Sequence, residues 1–137
     1  LQLPKGPGIR PTQDQVRQAL FNLLGETVQG ARVLDLFCGS GALGLEALSR
    51  GANHATFVDR SPFCVRAVQA NLENLVGSDP SQTPSVLIQR SDVIQAIRKL
   101  HRAGKQFDVV FLDPPYGGDL ARKSLIALSR YVIVSAA

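Results

Sequence analysis

Several residue types are scarce in this 137-residue sequence, and each shortage excludes a class of protein. Cys38 and Cys64 are the only cysteines, and they show neither a metal-ligand spacing nor a disulfide framework. We therefore predict no metal and a reducing, cytoplasmic location. No apolar run approaches the roughly 18 residues of a membrane span and no signal peptide is visible, so we expect no membrane partner. Methionine is absent, which indicates a processed, trimmed or excised chain.

The composition that remains is globular. Hydrophobic residues make up 45% of the chain and charged residues 19%, and the length is sufficient for one domain. The formal net charge of +4 is compatible with a nucleic-acid partner but does not require one.

The most informative stretch is residues 33–44, an apolar run that turns through glycines into a helical pattern. Gly39, Gly41 and Gly44 fit G-x-G-x-x-G, and Asp59 follows about 20 residues later, as in a nucleotide-binding βαβ unit. Backbone without Cβ atoms can approach a ligand closely, and the following helix points its free N–H groups at it. The stretch predicts a ligand that contains adenosine; the alternative is a tight turn without a ligand.

Asp35 favours one ligand of this kind. An acidic side chain beside the turn would repel the pyrophosphate of a dinucleotide, which disfavours an NAD-dependent oxidoreductase. It would attract S-adenosylmethionine, which carries an ammonium and a sulfonium group. The ribose of that cofactor could then meet Asp59.

Apolar runs and helical patterns alternate along the whole chain. Alternation of this kind predicts right-handed crossovers and an α/β fold of three layers, Rossmann-like, with a mainly parallel sheet. We predict strands over 32–37, 55–58, 86–89, 107–112 and 131–134, and crossover helices over 43–50, 62–76, 93–100 and 120–128.

The first helix precedes this pattern. Thr12 is its expected N-cap, with Gln15 completing a capping box, and Gly25 is its stop. Residues 1–24 are read as an arm and covering helix, and 25–137 as the cofactor-binding part of a single globular domain. Arg10 and Arg17 can be solvated or can contact a ligand. The apolar positions at helical spacing are Val16, Ala19, Leu20, Leu23 and Leu24.

A second motif, Asp113-Pro114-Pro115-Tyr116, directly follows a buried strand. Prolines donate no backbone hydrogen bond and fix a rigid loop, so the Asp113 carboxylate and the Pro114 carbonyl form a pair of acceptors. Tyr116 adds an aromatic face. This set suits an exocyclic amino group on a flat ring, whereas the alternative is a proline-capped strand end with a packed tyrosine.

Together the two motifs predict methyl transfer to an amino nitrogen. Acceptors that hold both hydrogens can aim the lone pair of a weakly nucleophilic ring amine at the sulfonium methyl group. Asp113 can stabilise the positive charge that develops and take the proton.

The chain resembles the bacterial small-subunit (16S) rRNA guanine-N2-methyltransferase family, class I S-adenosylmethionine-dependent enzymes. The resemblance is carried by residues 10–22, 35–52 and 113–116. It implies methylation of one guanosine in ribosomal RNA of the assembled small subunit. The resemblance implies that the methionine end of the cofactor is bound by Asp35, Phe37, Gly39, Ser40 and Gly41. It assigns the ribose to Asp59, Arg60 and Ser61, and the adenine to Asp92 and Val93. The target base is assigned to Asp113, Pro114 and Tyr116.

The sequence departs from the family pattern at both ends. The basic β-hairpin expected before Leu1 and two final strands are missing, so the chain looks truncated and the expected strand order is 3-2-1-4-5. Residues 131–134 would then form an exposed apolar edge. His54 and His101 are expected at the surface. A basic cluster is expected on one helix and comprises Arg98, Lys99, Arg102 and Lys105. It is either a solvated face or a surface that contacts RNA phosphates.

Alternatives to the RNA enzyme remain open at this point. A DNA amino-methyltransferase acting on adenine N6 or cytosine N4 would use the same second motif, although no segment is large enough for sequence-specific DNA recognition. A non-catalytic module that keeps only the cofactor pocket is the other alternative. The sequence does not determine the oligomeric state, and a monomer is expected for the full-length protein.

Overall fold

The computed structural model describes residues 11–77, 84–114, 119–131, 133 and 135. Helices and strands alternate in it as the sequence predicts. The helices are α1 (Pro11–Leu24), α2 (Ala42–Ser49), α3 (Pro62–Val76), α4 (Val93–Arg102) and α5 (Leu120–Arg130), with a 3₁₀ turn at Gly25–Val28. The strands are β1 (Arg32–Leu36), β2 (His54–Asp59), β3 (Ser85–Arg90) and β4 (Val109–Leu112).

These strands form a parallel sheet in the order β3-β2-β1-β4, which confirms the corresponding part of the predicted order. The predicted fifth strand, 131–134, lies partly outside the described residues. Its neighbourhood is nevertheless defined, because Phe107 N–H donates to the Ile133 carbonyl and Ser135 N–H donates to the Phe107 carbonyl, both at 2.7 Å. Ile133 and Ser135 therefore lie beside Phe107, just before β4. The side chain of Ile133 is fully buried, so this side chain does not contribute to an exposed apolar surface.

Side chains that alternate along β1 enter two different cores. Val33 belongs to the core on the side of α2 and α3, whereas Leu34 and Leu36 belong to the core on the side of α4. Strands buried on both faces are typical of a parallel sheet covered by helices. The largest fully buried side chains include Phe21, Phe57, Phe107, Leu34, Leu36 and Ile97.

The prediction for the first helix was wrong at its start, because α1 already includes Pro11 and Thr12 is therefore not its N-cap. Of the apolar positions at helical spacing, Leu20 and Leu24 pack against the core, whereas Val16 and Leu23 are exposed. Phe21, which is not among those positions, is buried against Phe111, with ring centroids 5.6 Å apart. Periodicity alone identified the helix but not which of its apolar side chains meet the core.

His54 was also wrongly expected at the surface. Its side chain is buried, with Nδ1 2.7 Å from Ser85 Oγ and Nε2 2.6 Å from Thr56 Oγ1. Burial lowers its pKa, and the charges of Arg32 and Lys105 lower it further. His101 is exposed, as predicted.

Two of the three motif glycines serve packing. A Cβ at Gly44 would overlap the Phe57 ring, and a Cβ at Gly41 would lie 2.9 Å from Val68 Cγ2. These positions let α2 approach β2 and α3 closely. Only Gly39, at a φ of +56°, has open space where a Cβ would stand.

We expect Gly44→Ala to destabilise the protein by about 1–3 kcal/mol, because the added methyl group overpacks against Phe57. Urea unfolding measures this change. Phe57→Leu should relieve the overlap, so the double variant should be less destabilised than the sum of the single variants. A Gly44→Ala variant as stable as the wild type would contradict the close approach of α2 to β2.

Candidate functional site

The register of the sheet brings three strand ends together. Leu36, the last residue of β1, pairs with Val58 of β2 and with Leu112 of β4. The residues that follow these partners, Asp59 and Asp113, therefore flank the turn that leaves β1. Carboxyl ends of adjacent parallel strands are the usual ligand edge of an open α/β sheet.

The turn after β1 is fixed by hydrogen bonds to both neighbouring elements. Cys38 N–H donates to the Val58 carbonyl at 3.1 Å, and the buried Asn71 of α3 donates from Nδ2 to the Ser40 carbonyl at 3.0 Å. Phe37 has a φ of +59°, a left-handed conformation that is uncommon for a residue with a side chain. The turn is thus held in a sparsely populated backbone shape by contacts from outside it.

Asp59 holds two parts of this edge together. Its Oδ2 accepts from Gly39 N–H at 3.1 Å, and its Oδ1 accepts from Ser61 N–H at 2.9 Å. The carboxylate therefore ties the turn after β1 to the start of α3. Sequence reasoning gave Asp59 only a ligand-binding role and missed this structural one. Each oxygen retains acceptor capacity for a ligand hydroxyl.

Asp35 lies inside the edge. Its side chain is 2% exposed, and Oδ2 accepts from Gly44 N–H, in the first turn of α2, at 3.0 Å. Burial raises the pKa of Asp35 to about 8; the Gly44 N–H opposes this, whereas the negative charges of Asp113 and Asp59 add to it. Three carboxyl groups therefore influence one another at this edge.

The second motif is described only in part. Asp113 is exposed and Pro114 half-buried directly after β4, whereas Pro115 and Tyr116 lie outside the described residues, as does Arg10. The structure thus brings Asp113 and Pro114 to the turn after β1 and leaves the contribution of Tyr116 a prediction.

The end of β3 completes the edge. Asp59 pairs with Arg90, and the Asp59 carbonyl accepts from Ser91 N–H at 3.0 Å. Asp92 caps α4 by accepting from Gln95 N–H at 3.1 Å, which leaves its exposed carboxylate beside buried Val93. The adenine contact assigned to Asp92 and Val93 stays a prediction.

Other residues singled out from the sequence have local roles. Ser61 caps α3 by accepting from Cys64 N–H at 3.4 Å, and the Arg60 carbonyl accepts from Arg90 Nε at 3.4 Å. Arg17 pairs with Asp14 at 3.0 Å and with Glu46 of α2 at 3.5 Å. Burial, followed by the charge of Asp35, raises the pKa of Cys38, which is unsuited to be a nucleophile.

Known proteins resemble this chain in sequence and in fold. The profile of the family described as "Conserved hypothetical protein 95" matches residues 1–136. The chain belongs to this family. Ribosomal RNA small subunit methyltransferase D of Escherichia coli K12 is 37% identical over 125 residues, which cover 91% of this chain and 59% of the relative. The family resemblance inferred from the motifs is therefore confirmed.

Solved structures share the fold. A hypothetical protein of Thermus thermophilus, TTHA0928, matches with a TM-score of 0.80 and 30% identity, covering 99% of this chain and 75% of that one. SMU.776 complexed with SAH matches with a TM-score of 0.70 and 26% identity, covering 93% of this chain and 34% of that one. The predicted Rossmann-like class I methyltransferase architecture is confirmed.

The chain spans about three fifths of the length of the E. coli relative. In the part that the structure describes, no group of three or more His, Cys, Asp or Glu side chains could hold a metal ion. None of the described helices has the length and hydropathy needed to cross a bilayer.

The raised pKa of Asp35 makes stability depend on pH. Between about pH 4 and pH 8 the carboxyl group is ionised in the unfolded chain but protonated in the folded one, so its contribution to stability falls as pH rises through this window. We expect Asp35→Asn to remove this loss. At pH 8 the free energy of unfolding of the variant should exceed that of the wild type by at most an amount on the order of several kcal/mol. Near pH 4 the difference should be much smaller.

Urea unfolding at both pH values measures this difference. Asp119→Asn, which removes an exposed carboxylate at the start of α5, is the matched control and should leave the pH dependence of stability unchanged. If the wild type and Asp35→Asn differ by the same amount at both pH values, the side chain of Asp35 is not protonated in the folded protein.

Proposed function

We propose that this chain is the catalytic part of an S-adenosylmethionine-dependent methyltransferase that modifies the exocyclic N2 amino group of a guanosine in small-subunit ribosomal RNA. The observation that carries the proposal is the meeting of Asp35, Asp59 and Asp113 at one sheet edge. This edge combines a turn suited to an adenosine with an excess of negative charge.

The charge of the edge fits the cofactor. Burial raises the pKa of Asp35, and the negative charges of Asp113 and Asp59 raise it further, so a positive group bound at this edge would favour the ionised form of Asp35. A ligand with positive groups would relieve this repulsion, whereas a pyrophosphate would increase it. The open space beside Gly39 would allow such a ligand to approach the backbone.

Different residues of this edge would bind different parts of the cofactor. Asp35, ionised once a cation is bound beside it, would attract the ammonium group of the cofactor. Gly39 would let the methionine end approach, and Asp59 would accept from the ribose hydroxyls while still holding Gly39 and Ser61. Asp92, at the end of the adjoining strand, would face the adenine. When bound, S-adenosylmethionine supplies an electrophilic methyl group on a sulfonium that is a good leaving group.

Asp113 and Pro114 would hold the target amine. Their position after β4 follows from the pairing of Leu112 with Leu36, which brings them next to the turn that holds the donor. The Asp113 carboxylate would accept one amine hydrogen, stabilise the positive charge that develops on nitrogen and take its proton. Catalysis would then rest on alignment and electrostatics, with Tyr116 stacking on the base.

The substrate part of the proposal is supported by the relatives. The E. coli relative is named as a methyltransferase of small-subunit ribosomal RNA. The guanine N2 position follows from the family resemblance together with the two-acceptor arrangement of Asp113 and Pro114. The assembled small subunit is the expected partner, and the cytoplasm the expected location.

We expect Asp113→Ala to lower methyl transfer to small ribosomal subunits by roughly 10²- to 10⁴-fold, because it removes an amine acceptor and proton acceptor. Transfer from tritiated cofactor measures this loss. Calorimetry with S-adenosylhomocysteine should show nearly unchanged affinity, since Asp113 lies on the base side of the site. Asp119→Asn is the control for loss of an exposed carboxylate.

Two outcomes would contradict the proposal. Unchanged turnover in Asp113→Ala would exclude Asp113 as the group that binds the target base. Tight binding of NADH without binding of S-adenosylhomocysteine would exclude S-adenosylmethionine as the cofactor. The same assay with naked ribosomal RNA, assembled small subunits and duplex DNA identifies the substrate, and methylation of duplex DNA alone would support the DNA enzyme instead.

A further inference from the structure

A separate cavity lies at the opposite ends of the strands. It has a volume of about 270 Å³ and is lined by the first residues of β1 and β2, by β3 and by the second half of α4. Arg32, His54 and Phe107, which begin or precede their strands, form its floor, whereas the candidate active site uses the carboxyl ends of the same strands. The two places are therefore separated by the length of the sheet.

The charges that line this cavity have one sign. Arg32, Lys99 and Lys105 contribute three cations, and no carboxylate is among its described lining residues. The nearest acidic contact is Asp108, whose Oδ2 accepts from the backbone N–H of Arg32 at 2.9 Å. With that carboxylate counted, the surroundings still carry an excess of positive charge.

Arg32 is held beside the cavity by its neighbours. Arg32 Nε donates to the Gln106 carbonyl at 3.2 Å, and its guanidinium lies 5.7 Å from the centroid of the Phe107 ring. The charges of Arg32 and Lys105 both lower the pKa of His54, so these two cations act on the same point of the cavity. Like charges gathered without an acidic partner favour an anionic ligand.

We propose that this cavity is a second ligand site, which binds a phosphate group. The phosphate would meet Lys99, Lys105 and Arg32. The proposal does not depend on the methyltransferase activity. Its ligand could be a small phosphorylated sugar or a phosphate of a polynucleotide backbone.

The basic cluster noted in the sequence adjoins the cavity. Arg98 and Arg102 of α4 are exposed, and Lys105 lies beyond the end of α4 rather than on it, which corrects the single helix expected for the cluster. Lys99 and Lys105 therefore line the cavity, while Arg98 and Arg102 extend the positive surface along α4. A polynucleotide would use this extension, whereas a small sugar phosphate would not.

Nuclear magnetic resonance of the labelled chain tests the proposal. Ribose 5-phosphate should shift the amide signals of Arg32, His54 and Phe107 in a saturable manner, whereas ribose alone should not. Lys99→Gln combined with Lys105→Gln should weaken this binding by roughly tenfold or more, because two charge-assisted contacts are lost. Arg122→Gln combined with Lys123→Gln removes the same charge from the exposed face of α5 and should leave the affinity unchanged.

A short single-stranded RNA, added under the same conditions, distinguishes the sources. If the RNA shifts the same signals and binds with higher affinity than ribose 5-phosphate, and if Arg98→Gln lowers only the affinity for the RNA, the ligand is a backbone phosphate. If ribose 5-phosphate binds and the RNA does not, the ligand is a small sugar phosphate. Three results would overturn the proposal. These are shifts confined to the Gly39 turn, shifts that are equally strong in the Lys99/Lys105 variant, and no shift with either probe.

Discussion

The register of β1 against its two neighbours is the constraint on which the rest of the structure depends. Since Leu36 pairs with both Val58 and Leu112, the residues after three strands reach the same edge of the sheet. A slip by one residue would reverse the faces of β1, exposing Asp35 to the other core and moving Val33 away from its own. The burial of β1 on both faces, with Val33 in one core and Leu34 and Leu36 in the other, therefore fixes the register that brings the two motifs to one site.

The sequence predicted the elements well because their signals are local. Strand and helix order and the stop of α1 at Gly25 follow from residues close to one another in the chain. The failures concern contacts between distant residues. The buried face of α1 depends on where Phe111 lies, and the burial of His54 depends on hydroxyl groups from β2 and β3 that only the folded sheet brings within reach.

The candidate site shows the same contrast between local signals and contacts that form only on folding. Motifs in the sequence identify its residues, but they do not reveal the roles of several of them. The glycine pattern predicts a close approach to a ligand, and the structure adds that the missing Cβ atoms of Gly41 and Gly44 leave room for Val68 and Phe57. Asp59 looks like a ligand residue in the sequence, yet it also holds the turn that it would serve. Such double use means that replacing Asp59 would alter the shape of the site together with its chemistry.

The two ends of the sheet carry opposite charge, and the sheet itself explains how both can persist. Asp35 and its acidic neighbours lie at the carboxyl ends, while Arg32 and Lys105 act on His54 at the amino ends of the same strands. The residues between them are apolar, and a buried apolar layer cannot supply counterions to either end. The charge at either end is therefore offset by solvent ions, by protonation, as at Asp35, or by a ligand of opposite charge. The cationic cofactor at one end and the phosphate proposed at the other have these opposite charges.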